Sequence, residues 1–217
     1  MRALHLLVLG QSNVANHGDG KSASHHGWVD GGANTQLTMA DPIYGGTGQQ
    51  GSIWPRVAEI LHQKQGGTLG LTLHAVGGTS VEDWAPNGRL HQPLLDSLPQ
   101  LGGRVTHIVW HQGERDTLLG TSQADYAERL TALHSAVACI LPVPWIICRA
   151  SYRADQTSDK MLAAQTAVLT KIPGCIAGPN TDTLGSEFRR DGTHFNAQGL
   201  DSFAAMMAQT LGALLAT

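Results

Sequence analysis

Residues 4–13, Leu4-His5-Leu6-Leu7-Val8-Leu9-Gly10-Gln11-Ser12-Asn13, decide the fold. An apolar run that does not alternate is what a strand buried on both faces of a parallel sheet requires. Gly10 then permits a sharp turn, and polar residues follow at once. The run comes after Arg2, as the core of a signal peptide would. It is too short for one and lacks a small-residue cleavage site, so it reads as the first strand. A serine at this strand-to-helix turn presents its hydroxyl and its backbone N–H to the same space. Serine opening a helix is also a common N-cap, and the stretch is not the GxSxG elbow.

Four more apolar runs follow, at Leu69–Val76, Val105–Trp110, Trp145–Cys148 and Cys175–Ala177. Helical spacing lies between and after them, over Trp54–Gln63, Pro93–Leu101, Gln123–Leu141, Asp159–Ile172 and Ala197–Leu215. The clearest helix carries Tyr126, Leu130, Leu133, Val137 and Ile140 on one stripe. In the next, the stripe reads Leu162, Gln165, Ala167 and Leu169. Alternation of strand and helix predicts a three-layer α/β/α sandwich on a five-stranded parallel sheet, within a single domain spanning 1–217. Ligands of such sheets sit beyond the carboxyl ends of the strands. The polar connection from Val14 to Ser52 has little periodicity. It reads as a long functional loop bordering that edge.

Composition narrows the partners. The formal net charge is −3 and only 14% of residues are charged, with no basic run to track phosphates, so nucleic acid is not expected. No segment has the apolar length of a membrane span. Cys139, Cys148 and Cys175 form no CxxC pair and read as small buried hydrophobes. Eleven histidines, His17, His25, His26 and His111 among them, invite a metal-dependent hydrolase. None stands in a strong ligand spacing, so no metal and no cofactor is expected.

The chemistry-bearing residues follow the strands. After the second run come Gly77-Gly78-Thr79-Ser80 and then Trp84, where a free N–H could meet an oxyanion or the chain simply turns. After the third come Gln112-Gly113-Glu114-Arg115-Asp116. The Gln112 side chain can donate, and the two carboxylates serve the site or only cap the loop. After the last come Asp191-Gly192-Thr193-His194. A carboxylate three residues before an imidazole can fix its tautomer while the other ring nitrogen reaches a serine. A nucleophile, a base, an orienting carboxylate and N–H donors on one sheet edge together make an acyl-transfer site.

These four blocks, in this order, resemble the SGNH (GDSL-type) hydrolases, most closely the branch of sialate O-acetylesterases and carbohydrate acetylesterases. The resemblance runs from Leu4 to about Gly199 and implies a flavodoxin-like fold. It implies Ser12 as nucleophile, His194 as base and Asp191 as its orienting acid, with an oxyanion hole from Ser12, Gly78 and Gln112. Gln11, Gly77 and Glu114 would support or line the site. Read from the sequence itself, Trp84 and Trp28 either stack on a sugar or pack in the core or against the loop. Arg115 stands where that branch often has a small residue. The expected substrate is a small-molecule or glycan ester, most simply an acetylated carbohydrate. A lipase or thioesterase acting on other esters, and a sugar-binding relative without catalysis, share the same blocks. Oligomeric state is not legible.

Overall fold

A computed structural model of the chain describes residues 3–33 and 35–216. The first strand, β1 (Ala3–Gly10), lies in the middle of a sheet, between β4 (Thr68–Ala75) and β5 (His107–His111), both parallel to it. Beyond β5 follow β6 (Trp145–Arg149) and β7 (Ile176–Asn180), also parallel. Those five strands are the predicted ones.

The sheet has seven strands, not five, in the order β3-β2-β4-β1-β5-β6-β7. The additional pair, β2 (Ala23–Asp30) and β3 (Gln36–Ala40), comes from the segment read as a structureless loop. β2 runs parallel to β4 over Gly27–Val29, and β3 closes the edge antiparallel to β2. Their pattern was hidden by an irregularity between Ser24 and Trp28 and by the exposure of an edge strand, whose residues alternate with polar ones.

β1 shows why its run is apolar throughout. Leu4, Leu6 and Val8 enter one core with helices α1 (Trp54–Gln65) and α7 (Ala197–Ala216). Leu7 and Leu9 enter the opposite core, reached by α2 (Val81–Trp84), α3 (His91–Ser97), α5 (Gln123–Ala138) and α6 (Asp159–Lys171). Each of these leucines contributes roughly 2 kcal/mol by leaving water. A short helix, α4 (Glu114–Leu119), begins directly after β5.

Local signals set the helix ends. Ser122 and Ser158 accept from the backbone N–H of Asp125 and Met161 and so cap α5 and α6. α1 stops at Gly66 in the left-handed region, whose N–H returns to the His62 carbonyl. Three expectations need correction. The stretch Pro93–Leu101 is split into α3 and a 3₁₀ turn over Leu98–Leu101. The buried face of α6 is Met161, Ala164, Gln165 and Val168, rotated from the expected stripe. Of the cysteines only Cys148 is buried, while Cys139 is exposed at the end of α5. Among the described residues no helix is long and apolar enough to cross a membrane.

Candidate active site

The order 4-1-5-6-7 of the parallel strands places the reversal of winding between β1 and β5, where such sheets open a crevice. Gly10 and His111 are paired at that point. A Cβ on Gly10 would lie 2.1 Å from the His111 carbonyl oxygen, and φ is +146°, so glycine is required. The Gln11 N–H bonds the same carbonyl at 3.2 Å, and the chain then enters a 3₁₀ turn over Ser12–Val14. Ser12 therefore stands at the carboxyl edge of the central strand. Its hydroxyl has no hydrogen-bond partner among the described residues.

His194 reaches the same edge from the loop before α7. Its Nδ1 lies 2.7 Å from Asp191 Oδ2, and its backbone N–H donates to Asp191 Oδ1 at 2.7 Å. The Thr193 N–H adds a bond at 3.1 Å. Partial burial works to raise the Asp191 carboxyl, but the hydrogen bonds from the side chain and backbone of His194 outweigh it. The net effect holds the group below its ordinary value. The loop itself is pinned by Arg189, whose guanidinium lies 3.8 Å from the Phe195 ring centroid and donates to the carbonyls of Thr193 and Thr181.

Ser12 and His194 line one cavity of about 330 Å³, together with Gln11, Gly77 and Gly78. Gly77 is committed, its N–H donating to Thr47 Oγ1 at 2.8 Å. The N–H groups of Ser12 and Gly78 meet no acceptor among the described residues. A larger cavity of about 680 Å³ lies over β4, with walls including Leu73, Trp84 and Leu94. It holds neither Ser12 nor His194, so volume alone does not mark the chemistry.

Three expected residues are elsewhere. Gln112 is fully buried and absent from the cavity wall. Its Nε2 is taken up by Gln11 Oε1 at 3.1 Å, the Thr79 carbonyl at 3.0 Å and Asp116 Oδ2 at 2.6 Å. An amide with two hydrogens facing three acceptors has none to offer an oxyanion. Trp84 is 2% exposed, edge-on to Trp110, with its Nε1 on Thr79 Oγ1; it is a core residue rather than a sugar platform. Trp28 likewise packs edge-on against His5.

The buried supports join the loops. Asn13 Nδ2 donates to Glu114 Oε1 at 2.8 Å and to the Thr193 carbonyl at 3.2 Å, linking the segments that bear Ser12 and His194. Asp116 accepts from the Val81 N–H and from Thr121 as well as Gln112. Burial raises its carboxyl, against those bonds.

Arg115, which stands where the resembled branch often has a small residue, lines the cavity, and three further lining residues, His17, Thr47 and Arg153, were not singled out for this site in the sequence. His17 and Thr47 come from the 14–52 segment, which does border the site. The His17 ring stacks on His194, centroids 5.5 Å apart at 20°. Burial, then the charge of His194, lowers its pKa. Among the described residues no three His, Cys, Asp or Glu side chains gather so as to hold a metal ion. His26 instead stacks on His62, and His111 is buried with Nε2 at 3.0 Å from Thr181 Oγ1.

A mostly parallel sheet with a serine after its first strand and an Asp-held histidine before its last helix defines the SGNH hydrolase class. Residues 3–212 match the family described as carbohydrate esterase, sialic acid-specific acetylesterase, and the chain belongs to that family. It is 23% identical over 146 residues to a protein of Arabidopsis thaliana named "Probable carbohydrate esterase At4g34215", covering 65% of this chain. The match spans 54% of that relative's length, so about half of it. The crystal structure of the Arabidopsis thaliana protein AT4G34215 superimposes with a TM-score of 0.76 at 17% identity, over 94% of this chain and 96% of that one. NanS gives 0.68 at 13% identity, over 99% and 97%. The psychrotrophic esterase EstA of Pseudoalteromonas sp. gives 0.64 at 14%, over 98% and 99%.

Proposed function

We propose that this chain is a serine esterase that removes acetyl groups from carbohydrates through an acyl-enzyme. The observation that carries the reading is the meeting of Ser12 and the Asp191-held His194 on one cavity, with the free N–H groups of Ser12 and Gly78 beside them. Family membership supports the substrate class.

With Nδ1 turned to Asp191, Nε2 of His194 is left for the Ser12 hydroxyl on the same cavity, a contact that closes as the ester binds. Ser12 Oγ attacks the ester carbonyl carbon as its proton passes to Nε2. The carbonyl oxygen takes up the electron pair and is held by the N–H groups of Ser12 and Gly78, each such donor worth about 3 kcal/mol. Collapse expels the sugar oxygen, which takes the proton from His194. Water then attacks the acetyl-serine by the same route, giving acetate and free Ser12. In this reading Gln112 holds the Gln11 side chain and the Thr79 carbonyl, each next to a residue that carries a donor, instead of donating itself.

The test is acetate release from acetylated xylo-oligosaccharides and turnover of p-nitrophenyl acetate. Both should vanish in Ser12→Ala with the circular dichroism spectrum unchanged, and a serine-reactive phosphonate should label Ser12. Persisting turnover in that variant, or labelling elsewhere, overturns the nucleophile. A preference for octanoate over acetate would instead favour a lipase or thioesterase.

A further inference from the structure

A second imidazole lines the cavity, and the proposed acyl transfer does not use it. His17 stacks on His194, and its Nε2 lies 3.2 Å from Thr47 Oγ1. The same oxygen accepts the Gly77 N–H at 2.8 Å. A chain of contacts therefore runs from the glycine loop through Thr47 and His17 to the base. A hydroxyl has one hydrogen and two lone pairs. With one lone pair given to Gly77, Thr47 can still pair with either tautomer of His17.

The fit is close enough to decide a neighbouring residue. A Cβ on Gly77 would lie 2.9 Å from His17 Nε2, 3.1 Å from its Cε1 and 3.3 Å from Thr47 Oγ1. Gly77 is not in the left-handed region, so an alanine is excluded there by the imidazole and the hydroxyl rather than by the turn.

His17 is in turn held from both sides. Asn16, 1% exposed with φ of +65°, donates through Nδ2 to the Ile43 carbonyl at 2.8 Å and accepts the Ile43 N–H on Oδ1 at 3.0 Å. A residue other than glycine keeps such a backbone only where its surroundings hold it. Gly18 exchanges backbone bonds of 3.0 and 2.8 Å with Gly51. The Thr47 N–H donates to the Ala75 carbonyl at 3.3 Å, which ties the segment to β4. Thr47 is exposed and His17 only partly buried, so the core does not demand their contact.

We propose that His17 and Thr47 are positioning residues, which hold Gly77, and with it the Gly78 N–H, at a set distance from the His194 ring. The inference rests on the esterase reading of the cavity for its effect on rate, but not for the bracing of Gly78. The effect belongs to kcat, because a donor aimed at the oxyanion is stronger in the transition state than in the bound ester.

The experiment compares turnover of p-nitrophenyl acetate by the parent, Thr47→Val, His17→Ala and the double variant. Each single change should lower kcat at least about tenfold, part of the 10²–10³ that losing a whole donor costs, with KM within about twofold. The double variant should be little slower than either single one, since both cut the same chain of contacts. Thr47→Ser and His17→Gln, which keep a polar group, should recover most of the rate. Gly77→Ala should slow the parent but cost little more in the His17→Ala chain, where the ring is gone. Single variants as fast as the parent, losses confined to KM, or losses that multiply in the double variant overturn the proposal. The bracing is read apart from catalysis, by the backbone amide resonance of Gly78 in nitrogen–proton NMR spectra, which Thr47→Val and His17→Ala should both displace. If no chain turns over the ester, the esterase reading falls, and an unmoved Gly78 resonance then overturns the bracing by itself.

Discussion

The side-chain amide of Asn13 and the carboxylate of Glu114 meet at 2.8 Å in a region where both are closed off from solvent, at 3% and 1% exposure. Asn13 follows Ser12, and Glu114 opens α4, so this bond fixes the serine turn against the helix after β5. Cutting it leaves a buried donor short of a partner, at a cost of about 1–3 kcal/mol. Glu114→Ala should lower the urea midpoint accordingly and reduce kcat for p-nitrophenyl acetate. Glu114→Gln, which keeps an acceptor, should recover most of both. An alanine variant as stable and active as the parent would contradict the role.

Asp191→Asn retains the shape of the loop but exchanges the carboxylate for an amide that can present its N–H to Nδ1 and favour the wrong tautomer. On the proposed mechanism kcat should fall by about 10⁴ while the melting temperature changes little. Steady-state kinetics beside a thermal melt check this; a loss under tenfold would remove Asp191 from the mechanism.

Gln112 offers a discrimination between two roles. As an oxyanion donor, its loss would slow turnover by about 10²–10³ with the fold untouched. As the anchor seen here, bonded to Gln11, Thr79 and Asp116, its loss should first cost stability. We expect Gln112→Ala to destabilise by roughly 2 kcal/mol, with the activity loss tracking the displaced donors. A stable, well-folded Gln112→Ala that is catalytically dead would favour the donor role instead.

Stability should fall on mild acidification. Burial lowers His5 from 6.5 to about 4, with the Asp30 carboxylate opposing and Arg104 assisting. His5 is therefore neutral in the folded chain while the unfolded chain takes up a proton. Its contribution is whole above about 6.5 and is lost as pH falls toward about 4, roughly 3 kcal/mol in all. Burial pushes His17, His74, His107, His111 and His134 the same way. Buried Asp116 and the partly buried Asp41 and Asp182, whose carboxyls desolvation raises, act in the opposite sense, their contributions fading as pH rises. The urea midpoint should thus drop between neutral pH and pH about 5, with a shallower slope in His5→Gln. A midpoint constant over that range would refute the histidine account.

How much was legible follows from what each residue's partners are. The five parallel strands show in the sequence because burial on both faces demands unbroken apolar runs, as Leu6 to Leu9 do. β2 lies between β3 and β4 but leaves His25 exposed and His26 and Gly27 only partly buried, and Ser24-His25-His26-Gly27 carries no such pattern. Ser12, Asp191 and His194 could be singled out because each sits next to a strand end or to one another. Gln112 and Trp84 could not be aimed, since a long amide or an indole next to a sheet edge turns either to the cavity or to the core, and only packing decides. His17, Thr47 and Arg153 come together from three separate loops, so no local spacing announces them. The phase of α6 was missed because buried Gln165 satisfies the carbonyls of Gln112 and Ala150, a role that hydrophobic periodicity does not register.

Gly10 rests so closely on the His111 carbonyl that a single methyl group there would overlap main chain. The point of attack is therefore machined into the backbone of the two central strands, whereas the surrounding wall hangs on loop side chains. For anyone retargeting this scaffold, Arg115 and Arg153 are interchangeable fittings on a rigid chassis. A library randomised at those two should stay largely folded and vary in ester choice, while one that also opens Gly10 should be mostly insoluble.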